Sequence, residues 1–279
     1  MGVPLRSWAA AVHGDGPRWS VYREFPPDPA TAAAVACGWH GRAGWARSLR
    51  VLPDGCVDLV WNGRDLGVVS TAGEPLRMWL PASAGTVGLR LRCGAAGSLL
   101  GRPMSELSSG TTPLRELWGQ LARRAEDVLV SCPTPASARA VLEELVALRL
   151  RAGFVPDRSA LRAVRGLGAL KGSAVRMVGF ADTLGVSERS LRRHLRHEVG
   201  CGPKRLHQLL RFHRFLGRLR PLADGRTALA VVAAELGYAD QSHLGRECRR
   251  FSGSSPGGLV RAWRRHDGLA EKFQTAPDG

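Results

Sequence analysis

The sequence predicts an α+β chain, with a β-rich N-terminal domain that also holds helices and an all-α C-terminal domain. Three observations carry this. Short β-prone runs between Gly and Pro breakers occupy the chain up to Cys93. From there on, apolar residues recur at helical spacing. A basic segment near the C-terminus then repeats itself at an offset of 52 or 53 residues. At 279 residues there is room for two domains.

Residues 49–52, 56–61, 67–70, 76–80 and 87–92 read as strands bounded by turn residues. Pro53, Asp54 and Gly55 make a turn between the first two. Over 113–130, Leu114, Leu117, Leu121, Ala125, Val128 and Leu129 form a helical stripe, with Arg123, Arg124 and Glu126 outside it. Thr134 followed by Pro135 starts the next helix, a hydroxyl cap ahead of proline at the first helical position. That helix runs to about residue 152 with Ala138, Val141, Leu142, Leu145 and Leu148 on one face, and Gly153 stops it. It is a candidate dimer element, with packing on its own domain as the alternative. A glycine-marked junction at 153–172 contains one short helix.

Charge is the compositional outlier: 40 Lys+Arg against 24 Asp+Glu, a formal +16. Between residues 175 and 265 there are 18 Lys+Arg and 7 Asp+Glu, so +11 of that surplus sits in one third of the chain. Such concentration favours a polyanion, nucleic acid or an acidic membrane surface. The cations are mostly Arg, which grips phosphates and guanine edges bidentately.

The repeat explains where the charge goes. Ala181, Leu184, Gly185, Leu191, Gly200 and Pro203 of the first copy match Ala233, Leu236, Gly237, Leu244, Gly253 and Pro256 of the second. Each copy has the parts of a helix-turn-helix. A small alanine allows close helix crossing, and a glycine four residues later ends the first helix in the left-handed conformation. Ser187 or Asp240 caps the second helix. Leu191 and Leu195, or Leu244 and Cys248, form its buried face. Left outside are Arg189, Ser190, Arg192, Arg193 and Arg196 in one copy, and Gln241, Ser242, His243, Arg246, Arg249 and Arg250 in the other. Arg and Gln read base edges in the major groove while neighbouring Arg hold phosphates. A helix over 203–218 separates the copies by roughly 24 Å, of the order needed to place two recognition helices in successive major-groove segments.

Residues 237–256 (Gly-Tyr-Ala-Asp-Gln-Ser-His-Leu-Gly-Arg-Glu-Cys-Arg-Arg-Phe-Ser-Gly-Ser-Ser-Pro) resemble the signature of the AraC/XylS family of bacterial transcription regulators. Residues 184–193 resemble that family's first helix-turn-helix, and the likeness spans about 173–263. Cys248 stands where the family usually has Phe, and Gly245 where a polar residue is commoner. The resemblance implies base contacts from Arg189, Ser190, Arg192, Arg193, Gln241, Ser242, His243 and Arg246. It implies double-stranded DNA as partner, and control by a small-molecule effector on the N-terminal domain. RNA polymerase and a second copy in a homodimer are further candidate partners. The expected division is a sensing or dimerisation domain at 1–152, the junction at 153–172, an AraC-type DNA-binding domain at 173–265 and a flexible tail at 266–279.

Residues 52–61, around Cys56, resemble an N-terminal domain often found ahead of such regulators. Cys56 or Asp58 lines an effector pocket or senses redox state, or Cys56 is simply a thiol on a half-buried strand, the reading we favour. Trp39, Trp45, Trp61, Trp79 and Trp118 build a pocket or, more commonly, core. The six cysteines lack paired or zinc-ligand spacing, and His194, His197, His207 and His213 read as surface or spacer residues, so neither metal nor cofactor is expected. A regulator and not an enzyme is expected. The rival is a DNA alkylation-repair protein with the same DNA-binding domain and a methyl-accepting cysteine, whose chemistry needs four clustered thiolates. No apolar stretch reaches membrane-spanning length, and residues 1–11 lack a signal-peptide core, which points to the cytoplasm without a membrane partner.

Overall fold

The computed structural model of the chain describes residues 21–82, 84–170 and 177–265. The readings for residues 1–11 and for the tail at 266–279 lie outside these, as do residues 171–176 around the end of the junction. Among the described residues the strands are β1 (Val21–Phe25), β2 (Val35–Arg42), β3 (Arg47–Val51), β4 (Val57–Trp61), β5 (Leu66–Ser70), β6 (Leu76–Leu80), β7 (Gly85–Leu91) and β8 (Gly110–Pro113). The five expected runs are β3 to β7. Sequence pattern did not reveal β1, β2 and β8. In β2 the reason is physical: Gly38 breaks the apolar alternation, yet a Cβ there would lie 2.6 Å from Cδ of Arg139, whose guanidinium stacks on Phe25.

Six strands form one antiparallel sheet in the order β1-β2-β7-β4-β5-β8, while β3 and β6 pair as a separate ribbon. One sheet face carries α1 (Ala96–Leu100), α2 (Leu114–Trp118), α3 (Gln120–Val130) and α4 (Pro135–Arg151). Their shared core holds Leu59, Leu66, Leu89, Leu99, Leu142 and Val146. The stripe at 113–130 is two helices, because Gly119 (φ +54°, ψ −125°) turns the chain between them. Thr134 caps α4 as expected, in a reciprocal pair with Ser137: Oγ1 of Thr134 accepts from the Ser137 amide at 3.1 Å. The α4 face packs on the sheet, burying Ala138, Leu142 and Leu145, so the candidate dimer element is occupied by its own domain; Leu148 stays 41% exposed.

The junction is more structured than its glycines suggest. Asp157 accepts from the amides of Ser159 (2.7 Å) and Ala160 (3.3 Å), starting α5 (Arg158–Ala169), which buries Ala160, Ala163, Val164 and Leu167. Then come α6 (Met177–Thr183), α7 (Glu188–Val199), α8 (Pro203–Leu216), α9 (Leu219–Ala223), α10 (Leu229–Glu235), α11 (Gln241–Ser252) and α12 (Pro256–Arg265).

Helix α8 serves two cores. Leu206 and Leu210, four apart, join Phe180, Ala181, Leu191 and Leu195 of the first repeat. Leu209, Phe212 and Leu216, with Phe215, join Val232, Ala233, Leu244 and Phe251 of the second. The N-terminal domain enters both: Leu52 belongs to the second cluster and Cys93 to the first. Between them lies the turn at 53–56. A Cβ on Gly55 (φ +79°) would meet Leu209 at 3.5 Å and Leu206 at 3.6 Å.

Burial sets a pH limit on this packing. It is the main cause holding His40, His207 and His213 below the ordinary imidazole range; at His213, Asp54 opposes the shift and Arg90 adds to it. The unfolded chain therefore takes up protons below about pH 6.5 that the folded chain resists. Stability is fully present above that pH and falls as pH drops below it. The urea midpoint should decrease between pH 7.5 and pH 5.5, and by less in His213→Gln; a pH-independent midpoint contradicts this.

Candidate nucleic-acid interface

Each repeat folds as a helix-turn-helix for the reasons its residues give. Gly185 (φ +68°) and Gly237 (φ +74°) take the left-handed conformation just after α6 and α10, reversing the chain before the next helix. Oγ of Ser187 accepts from the Ser190 amide at 3.1 Å, and Oδ1 of Asp240 accepts from the His243 amide at 2.6 Å. Ala181 and Ala233 are buried at the crossings. Left-handed Gly200 and Gly253 end α7 and α11, and Pro203 and Pro256 begin the helices that follow.

The buried faces of the second helices leave the polar ones outside. On α7, Arg189, Arg192, Arg193 and Arg196 are exposed and Ser190 is half-buried. They border an open cleft of about 750 Å³ whose other wall is Pro103 and Ser105 of the N-terminal domain. Four guanidinium groups along one helical face repel one another, and a polyanion relieves that repulsion. On α11, Gln241, Ser242, Arg246 and Arg250 are exposed; Nη1 of Arg250 lies 3.5 Å from Oε1 of Gln208.

His243 sits differently from the rest of its set. It is half-buried and its Nε2 lies 3.3 Å from Nη2 of Arg211 and 3.5 Å from Oε1 of Glu247. Arg211, on α8 and 1% exposed, donates from Nε to Glu247 at 3.3 Å and from Nη2 to its other oxygen, and stacks 4.3 Å from the Tyr238 ring. This buried pair ties α11 to the spacer and fixes the direction in which the exposed residues project.

α7 is anchored instead on the N-terminal domain. The buried carboxylate of Glu198 accepts from the amide of Ser98 at 3.0 Å and from its hydroxyl, at the start of α1. A Cβ on Gly97 would lie 2.2 Å from the carbonyl oxygen of His197, so only glycine permits this approach. His194 Nδ1 lies 3.1 Å from Asp157 Oδ2. On the second unit, Nη1 of Arg50 donates to the carbonyl of Ser252 at 2.9 Å. Sequence reasoning missed Glu198, Arg211 and Glu247. The signal for Glu198 was its place three residues after Leu195 on the buried face, while nothing local marks Arg211 as the partner of a residue 36 positions away.

Among the upstream residues, Trp39, Trp61 and Trp118 are buried, whereas Trp45 and Trp79 are exposed. Under the β3–β6 ribbon lies a pocket of about 70 Å³ walled by Tyr22, Trp39, Leu49, Val60, Val69 and Met78. Asp58 is buried beside it, accepting from Nε1 of Trp39 (2.8 Å) and Nε of Arg90 (3.3 Å). Cys56 lies in the turn before β4, half-buried, and not on a strand. Among the described residues no group of three or more His, Cys, Asp or Glu is arranged to hold a metal, and no helix is long and apolar enough to cross a membrane.

Residues 180–262 match the model of a helix-turn-helix domain family, and residues 23–113 match that of a domain of unknown function (DUF6597). No curated protein matches the chain. Solved structures similar to it include the C-terminal domain of AraT, a response regulator from Geobacillus stearothermophilus, at 20% identity over 42% of this chain and 91% of that one, TM-score 0.34. ToxT from Vibrio cholerae O395 is 9% identical over 77% of this chain and 96% of that one, TM-score 0.42. Unsaturated fatty acid bound wild-type ToxT from Vibrio cholerae strain SCE256 is 10% identical over 77% and 94%, TM-score 0.41.

The Arg211–Glu247 pair gives a direct test of the interface scaffold. Glu247→Leu strands a buried guanidinium and should cost about 3–5 kcal/mol in urea unfolding. Arg211→Met combined with Glu247→Leu should cost clearly less than the single change. Equal losses would show that packing volume, and not charge pairing, holds α11.

Proposed function

We propose that the chain is a DNA-binding transcription regulator of the AraC type, whose matched helix-turn-helix domain at 180–262 reads one duplex with its two units together. On this reading α7 and α11 enter two adjacent major-groove segments of a specific site, and the N-terminal domain adjusts their fit in response to an effector. The observation that carries it is the pair of exposed basic faces, each on the second helix of its own unit, with α8 buried between their cores.

Arg189, Arg192, Arg193 and Arg196 take the first segment, with Ser190 at the helix start. Gln241, Ser242, Arg246 and Arg250 take the second, with His243 held beneath them. Within each set, residues in the first turns meet base edges and later arginines meet phosphates. RNA polymerase and a second copy of the chain are proposed partners, and the cytoplasm the proposed compartment.

The aromatic and aliphatic walls of the pocket under the β3–β6 ribbon, with Arg42 and Arg47 also lining it, support a small effector that has an apolar body. Its 70 Å³ is less than the roughly 150 Å³ that accommodates benzene in an engineered cavity. A larger effector therefore requires the ribbon to move. The ribbon also carries Arg50, which holds the carbonyl of Ser252 at the end of α11, so such movement would reach the second reading unit.

Arg192→Ala and Arg246→Ala should each cost roughly 1–3 kcal/mol at the preferred site and relax base preference there, measured by competition between selected and scrambled duplexes. Equal loss on both duplexes would reassign these arginines to the phosphates.

A further inference from the structure

The turn at 53–56 carries chemistry that the DNA-reading surface does not use. Three of the six cysteines gather beside it: Cys56 within the turn, Cys93 just after β7, and Cys201 between α7 and α8. Cys93 is 7% exposed in the cluster that contains Leu191, Leu195, Leu206 and Leu210, while Cys56 and Cys201 pack half-buried against it. Backbone register brings the turn to Cys93: Val57 pairs with Leu91, and two residues further on a Cβ at Gly55, next to Cys56, would lie 2.9 Å from Sγ of Cys93. Oδ1 of Asp54 accepts from the Cys56 amide at 2.8 Å, which fixes the turn.

We propose that Cys56 and Cys93 are a thiol pair that a hydroperoxide oxidises to a disulfide, altering how the turn seats on α8 and hence how the chain binds DNA. The Cys56 thiol loses its proton to solvent and its thiolate attacks a peroxide oxygen. An S–O bond forms, the O–O bond breaks, and the departing oxygen leaves as an alcohol, or as water from hydrogen peroxide. Sγ of Cys93 then attacks the Cys56 sulfur; the S–S bond forms, the S–O bond breaks, and water leaves with the thiol proton. Two thiols give up two electrons and the peroxide takes them.

The neighbouring Cys93 thiol, together with burial, holds the Cys56 thiol well above its ordinary range, so the docked pair reacts slowly at neutral pH and faster in alkali. A disulfide requires its own fixed sulfur geometry. Cys93 is locked among leucines, so the adjustment falls on the turn that touches Leu206 and Leu209. The DNA readout rests on the function proposed above; the sulfur chemistry does not.

The test uses the full chain, reduced and then treated with hydrogen peroxide at pH 8. Peptides are mass-mapped without reduction beside Cys56→Ser, Cys93→Ser and Cys132→Ser, and affinity is measured for a duplex that the reduced protein selects from random sequence. The folded wild type and Cys132→Ser should yield a Cys56–Cys93 cystine that the other two variants lack. Affinity should change roughly fivefold or more and recover with dithiothreitol. A cystine joining Cys93 to Cys201 instead, or a Cys56–Cys93 cystine formed only in urea, overturns the proposal. So does the expected cystine with unchanged affinity. Should the reduced chain select no duplex, the DNA reading fails on its own while the peptide map still decides the sulfur chemistry; should the serine variants not fold, the wild-type map alone decides it.

Discussion

The burial of two neighbouring faces of α8 in two different cores is the constraint on which the C-terminal half depends. A single helix of 14 residues supplies Leu206 and Leu210 to one core and Leu209, Phe212 and Leu216 to the other. The spacings of four on one side, and of three and four on the other, are those of two stripes on one helix. Each buried side chain of this size contributes about 1.5–3 kcal/mol by leaving water. Moving one unit relative to the other would expose part of at least one stripe. α8 thus behaves as a rigid spacer because both neighbours need it as a wall. The buried Arg211–Glu247 pair adds direction to that packing, since an ion pair removed from water tolerates little misalignment.

The N-terminal domain rests on the same helix. Leu52 lies in one core, Cys93 in the other, and Gly55 between them against Leu206 and Leu209. Further contacts run from α1 to the end of α7 through Ser98 and Glu198, and from β3 to the end of α11 through Arg50. A change in the N-terminal domain therefore has three mechanical routes toward the two reading helices. Under the proposed function, an effector acts by stabilising one of two such arrangements, to the extent that it binds one better than the other.

Much of this was legible in the sequence where the signal is local. The capped starts at Ser187, Asp240 and Thr134, the left-handed Gly185 and Gly237, and the buried Leu191–Leu195 and Leu244–Cys248 pairs follow from residue type and spacing alone. The exposed arginines follow as the remainder of those helices. What was illegible depends on partners distant in the chain. β2 carries Gly38 where Arg139 lies across it, and the apolar face of α4 resembled a dimer surface because its sheet was not visible. The contact of half-buried His243 with Arg211 comes from another helix and has no local signal. Cys56 appeared solitary along the chain, and only the pairing of β4 with β7 sets Cys93 beside it.

Hydroxyl-radical footprinting of the chain on a selected duplex tests the central claim most directly. Two protected patches about one helical turn apart on the same face, reduced to a single patch at weaker affinity in a Phe212→Ala variant, are the result this account predicts. A single patch, or two whose separation changes freely with inserted base pairs at no loss of affinity, would contradict a rigid pair of reading helices.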